Sequence, residues 1–156
     1  FIGEEQLLVP GSNDNLMMTF ASTGDYTFIL DASNTDEPVL TVYSAEMFGA
    51  TTVFIRGAMN GWGEIDALNY QGNSQYTVDI AIDAGSYEFK VASADWATFN
   101  LGATGDNNVS LDSPYLLTQG SNDNLLITIE ENATYQFSVQ GPKPESPSVT
   151  VSKIIQ

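Results

Sequence analysis

QYTVDIAIDAGSYEFKVA, residues 75–92, decides the fold class. Over Gln75–Ile82, the residues Tyr76, Val78, Ile80 and Ile82 alternate with Thr77, Asp79 and Ala81. A two-residue period is that of a half-buried strand. Asp83-Ala84-Gly85 then interrupts the run with turn residues. Beyond it Tyr87, Phe89 and Val91 alternate with Glu88, Lys90 and Ala92. Two such runs across a short turn read as a β-hairpin, with Tyr87, Phe89 and Val91 inward and Lys90 outward.

Working outward, the same grammar recurs. Val53-Phe54-Ile55 is a short apolar run that ends at Gly57, and Leu125–Ile129, Thr134–Val139 and Ser148–Ser152 supply further strands. No amphipathic helical stretch separates them. Many short strands with turn residues between them predict an all-β chain, an antiparallel immunoglobulin-like β-sandwich.

The chain also repeats itself. Residues 7–20, LLVPGSNDNLMMTF, match residues 116–129, LLTQGSNDNLLITI, at an offset of 116 − 7 = 109. The match continues without a gap through Tyr26 and Tyr135, Phe28 and Phe137, Pro38 and Pro147, and Thr41-Val42 and Thr150-Val151. This divides the chain into a complete unit, residues 47–156, and the C-terminal part of a preceding one, residues 1–46. A partial unit cannot close a sandwich alone, so residues 1–46 are expected to dock on the complete unit, to meet another chain, or to stay loose.

Composition narrows the function. Twenty acidic residues face four basic ones, a net charge of −16. That balance opposes nucleic acid, whose phosphates need Lys and Arg, and it opposes an anionic membrane surface. A neutral ligand is not repelled. The absence of cysteine and histidine excludes disulfides, thiolate and imidazole metal sites and histidine-based triads. No cofactor is called for, and nothing approaches the ~18 apolar residues of a spanning helix.

Val53–Gly102 holds a strand ending in Arg56-Gly57, then Asn60-Gly61-Trp62, then Tyr87-Glu88-Phe89-Lys90, then Asp95-Trp96. This combination resembles the starch- and glycogen-binding modules of carbohydrate-binding families 48, 20 and 69, which accompany pullulanases, branching enzymes and α-amylases. The resemblance runs on through Gly120–Leu125 to about Val139. It implies a non-catalytic module that binds α-glucan (starch, glycogen or malto-oligosaccharide). It further implies an extracellular or cell-surface location and a covalently linked glycoside hydrolase that the module targets to polysaccharide. By position it assigns the sugar site to Trp62, Trp96 and Lys90. The family's late-loop asparagine falls in Ser121-Asn122-Asp123-Asn124 and is assigned to Asn122, although direct alignment puts Asp123 in its place.

The physics of these residue types agrees with the assignment. A glucose ring has an apolar C–H face and an edge of hydroxyls. Indole offers a flat surface to the face, and amine and amide groups bond the edge. Each residue also has a purely structural reading. Either tryptophan could pack in the core, Lys90 could be a solvated surface charge, and Asn122-Asp123-Asn124 could form a turn or contribute to a calcium loop, although the Asp-x-Asp-x-Asp-Gly pattern is missing. Tyr70 and Tyr76 could extend the platform, Tyr76 being the better core residue. The rival functions are a spacer between domains and a small glycosidase with paired carboxylates, for which no nucleophile motif or metal set is present.

Overall fold

A computed structural model describes residues 2–20 and 23–155. The described residues form fourteen strands: β1 (Glu5–Leu7), β2 (Tyr26–Asp31), β3 (Val39–Ser44), β4 (Val53–Gly57), β5 (Asn69–Gly72), β6 (Gln75–Ile82) and β7 (Gly85–Ser93), then β8 (Asn100–Gly102), β9 (Asn108–Val109), β10 (Tyr115–Leu116), β11 (Thr118–Gln119), β12 (Leu125–Ile129), β13 (Ala133–Gln140) and β14 (Ser148–Lys153). Among the described residues the helical content is one 3-10 turn, Ala58–Asn60.

Residues from 53 onward form two sheets. One has the order β10-β14-β13-β6-β5. The other has the order β11-β8-β7-β12-β9, with β4 on the free edge of β7. All pairings are antiparallel except β9 with β12. The core lies between the inner faces: Tyr76, Ile80, Ile82, Tyr135, Phe137, Val139, Val149 and Val151 from the first sheet meet Ile55, Phe89, Val91, Leu101, Leu125 and Ile127 from the second. Phe89 and Phe137 make an edge-to-face contact across the gap, their centroids 5.4 Å apart. The architecture is the β-sandwich that the alternation implies.

One reading of the alternation is corrected. β6 and β7 do not form a hairpin. β6 pairs with β13 and β5, whereas β7 pairs with β12, β4 and β8. The chain changes sheets at Asp83-Ala84. Alternation fixes which side chains face the core, and that part holds; it carries no information on the neighbouring strand, because both sheets offer the same apolar inner face.

Residues 2–44 build a separate three-stranded sheet, β1-β3-β2. Its register reproduces β10-β14-β13 at the repeat offset. Gln6 pairs with Leu40 as Tyr115 pairs with Val149, and Phe28 pairs with Val42 as Phe137 pairs with Val151. The internal repeat is therefore one of strand pairing as well as of sequence.

Candidate functional site

The outer face of the second sheet and the loops after β4 and β7 carry Lys90, Trp62 and Trp96, singled out in the sequence. β4 and β7 pair in a register that sets Arg56 opposite Lys90 and Ile55 opposite Val91. Since Ile55 and Val91 are buried in the core, Arg56 and Lys90 share the opposite face. These are two of the four basic residues of a protein with net charge −16.

After β4 the chain must turn sharply. Gly57 is required there, because a Cβ would lie 2.6 Å from the Glu88 carbonyl oxygen and 2.7 Å from the Phe89 Cβ. Asn60 then clamps the loop. Its Oδ1 accepts from the Gly57 N–H at 2.9 Å, and its Nδ2 donates to the Ile55 carbonyl and to Asp66 Oδ2, each at 2.7 Å. Gly61 and Trp62 follow at φ 64° and 61°. Glycine adopts this left-handed conformation freely, but tryptophan does so at a cost.

The second loop follows β7. Asp95 accepts from the Ser93 hydroxyl, from the backbone N–H of Ala97 and Thr98 at 3.1 Å, and from the Thr98 hydroxyl at 2.7 Å. Those donors, Ser93 first and Thr98 next, hold its carboxyl well below the usual carboxylate range. Trp96, inside this turn, also has a positive φ of 58°.

Arg56 joins the two loops. Its Nε and Nη2 donate to the Trp62 carbonyl at 3.0 and 2.8 Å, and its Nη1 donates to the carbonyls of Ser93 and Ala94 at 3.1 and 3.0 Å. The guanidinium lies over the Trp96 ring with Cζ 4.0 Å from the centroid, a cation–π distance. The two indoles consequently stand together, centroids 6.2 Å apart and planes inclined at 45°. Both are half-buried, and neither belongs to the core cluster.

Lys90 is placed differently from its solvated reading. It points away from the core, yet it is only 5% exposed. Strand β8, through Asn100 and Gly102, and the loop at Ser121 cover it. Nζ donates to Asn100 Oδ1 at 3.0 Å and to the Ser121 carbonyl. Burial lowers the Lys90 pKa, while the charge of Asp123 pulls it back up. Gly102 provides the space: a Cβ there would lie 3.2 Å from Lys90 Cε and 2.3 Å from the Asp123 carbonyl oxygen.

Asn122 is exposed beside Ser121. The turn around it is made by Ser121, whose hydroxyl accepts from the Asp123 N–H at 3.1 Å and donates to the Ala103 carbonyl. Asn124 donates to Glu88 at 3.2 Å. Tyr70 and Tyr76 are not part of the platform. They contact each other at 5.1 Å, and Tyr76 stacks on Phe48 inside the core.

Of the residues singled out in the sequence, Trp62 and Trp96 are thus in contact, and Lys90 with its Ser121 anchor lies one strand from Arg56. Arg56 and Asn60 belong to the quoted motif but receive no role from the sequence, and Asn100 is not singled out there. A signal existed for Arg56: in a chain with four basic residues, one stands in an apolar strand directly before a glycine and six residues ahead of a tryptophan.

No family model matches the chain, and no curated protein matches it by sequence. Among solved structures it is similar to the "Ligand induced structure of AmyP-SBD", at 18% identity and a TM-score of 0.49, covering 94% of this chain and 100% of that one.

Proposed function

We propose that the complete unit is a non-catalytic α-glucan-binding module. The observation that carries this reading is the inclined pair of half-exposed indoles, 6.2 Å apart and 45° to each other, held in strained backbone. A core gains nothing from two tryptophans at positive φ. Such strain marks sites where another demand overrides local preference. Two flat surfaces set at an angle suit a helically curved glucose chain better than a flat one. The Lys90 ammonium and the Asn122 amide supply hydrogen bonds to hydroxyls at the rim.

The magnitudes fit a binding module. Covering about 60 Å² of apolar surface on each ring contributes ~1.5 kcal/mol per ring. With a few hydrogen bonds, less the ordering cost, dissociation constants fall between about micromolar and millimolar. In this reading the module serves a linked glycoside hydrolase by holding it on starch or glycogen at the cell surface or outside the cell.

Native gels cast with soluble starch or glycogen test it. The protein should be retarded, and Trp62→Ala or Trp96→Ala should abolish the shift. Unretarded migration, together with tryptophan fluorescence unmoved by maltoheptaose or β-cyclodextrin, would overturn the reading in favour of a structural spacer.

A further inference from the structure

The sheet β1-β3-β2 leaves in solvent apolar side chains whose counterparts the complete unit buries, although Val42, paired with Phe28 on the same face, is only 1% exposed. Phe28 is 57% exposed and Leu30 60%, whereas their repeat counterparts Phe137 and Val139 are fully buried. Leu16 is 56% exposed, and its counterpart Leu125 is fully buried. Residues 12–20 form no strand, while their counterparts contain β12, which is paired on both sides by β7 and β9. β2 is an edge strand, while its counterpart β13 is flanked by β14 and β6. What is missing is the same in every case: the portion of the unit from β4 to β9.

The piece is nonetheless prepared for that partner. Phe20 packs on Tyr26 at 4.4 Å and lies 6.5 Å from Phe28, a start of the inter-sheet core. The Asp14 N–H donates to Ser12 Oγ at 3.1 Å, the distance found at the counterpart Asp123 and Ser121. Charge argues against a second copy of the face itself as the occupant. Residues 1–46 hold eight acidic residues and no basic one, so two such faces would repel more strongly than one face and residues 53–109, which hold seven acidic and two basic residues.

We infer that residues 2–44 are an acceptor surface for the β4–β9 portion of a preceding copy of this repeat on the same polypeptide. β2 takes a β6-like strand on its open edge. Residues 16–20 become a strand between β7-like and β9-like neighbours, and Phe28 and Leu30 enter the closed core. The inference rests on the repeat and its strand register and is independent of any sugar site.

Hydrogen exchange tests it. In the 156-residue chain, amides of residues 13–20 and the open edge of β2 should exchange near the unfolded limit while β12 and β13 are protected. Residue 1 is the counterpart of residue 110, so a copy of residues 47–109 placed directly ahead of it completes the unit. In that chain, protection at 13–20 and β2 should rise by about 100-fold or more. Phe28→Asp with Leu30→Asp should erase the gain and leave residues 47–156 unchanged. A second arm uses the 156-residue chain alone: it should be monomeric and bind a hydrophobic dye, and the double Asp variant should abolish the dye binding. Protection already present in a natural dimer that the Asp variant dissociates would overturn the inference, as would unchanged exchange in an extended chain whose added segment is itself folded.

Discussion

Arg56 lies beneath Trp96, its guanidinium carbon 4.0 Å from the ring centroid, while the same group donates to the Trp62 carbonyl through two nitrogens. One buried cation therefore fixes both halves of the platform. It holds the loop after β4 by hydrogen bonds and the loop after β7 by hydrogen bonds and stacking. Glu64 adds only a distant charge at 3.9 Å. Removing Arg56 would take a donor from the carbonyls of Trp62, Ser93 and Ala94 together, leaving Ser93 with the Trp96 N–H at 3.2 Å. Arg56→Met should destabilise the fold by ~2–4 kcal/mol, read from urea unfolding. Arg56→Lys should recover less than half of that, because one ammonium cannot span three carbonyls and stack at once. Retention on starch should fall in both variants at temperatures where they stay folded.

The strained tryptophans give a test that separates binding from stability. Trp62→Ala and Trp62→Gly remove the same ring, but glycine accepts φ 61° without penalty. The glycine variant should be more stable than the alanine one by ~1 kcal/mol, while both lose starch retention equally. The same order should hold at Trp96. Starch retention that follows stability, higher in the glycine variant than in the alanine one, would mean that the ring acts through packing.

The sandwich was legible in the sequence because burial on one face imposes a two-residue period on Gln75–Ile82 and Gly85–Ser93 whatever their partners. The crossover between them was not, since an Asp83-Ala84-Gly85 turn can join strands of one sheet or of two. At the site, Trp62 and Trp96 stood out as large aromatics in polar loops. Their meeting was not legible, because it depends on Arg56, and the role of Arg56 arises from the register of β4 with β7. Lys90 shows the same limit. Alternation sets it off the core, but its cover comes from Asn100 and Ser121, which are 10 and 31 residues away in the chain.

Gly102 tests that cover directly. A methyl group there would meet the Asp123 carbonyl oxygen at 2.3 Å and Lys90 Cε at 3.2 Å, so the late loop must move away from the amine. Gly102→Ala should cost ~1–3 kcal/mol and weaken malto-oligosaccharide binding several-fold. The contact between Trp62 and Trp96 should persist, visible as an unchanged near-ultraviolet circular dichroism band. Titration calorimetry with maltoheptaose reads the affinity.

Acid should open the Trp96 loop. Asp95 has its carboxyl held below the ordinary 3.8 by the hydroxyls of Ser93 and Thr98 and by two backbone N–H groups. A carboxyl whose folded value is depressed binds fewer protons folded than unfolded, so its contribution is complete above the unfolded value. It is then lost as pH falls through that value and below. Melting temperatures measured from pH 6 to pH 2 should fall more steeply for the natural chain than for Asp95→Asn. Asp31 and Asp106, also depressed by local hydrogen bonds, remain in both proteins and cancel in the comparison. Equal slopes would show that the Asp95 bonds persist in the unfolded chain or contribute nothing.

Ionic strength separates a neutral ligand from a charged one. The protein carries a net −16, so any basic partner would be drawn to it and released by salt. Apolar stacking on Trp62 and Trp96, with hydrogen bonds from Lys90 to hydroxyls, involves no charge on the ligand. Retention on starch should therefore change by less than about 2-fold between 50 mM and 500 mM sodium chloride. Sodium sulfate, which strengthens apolar burial, should tighten it. A tenfold loss in salt would mean that the indoles are not the main source of affinity.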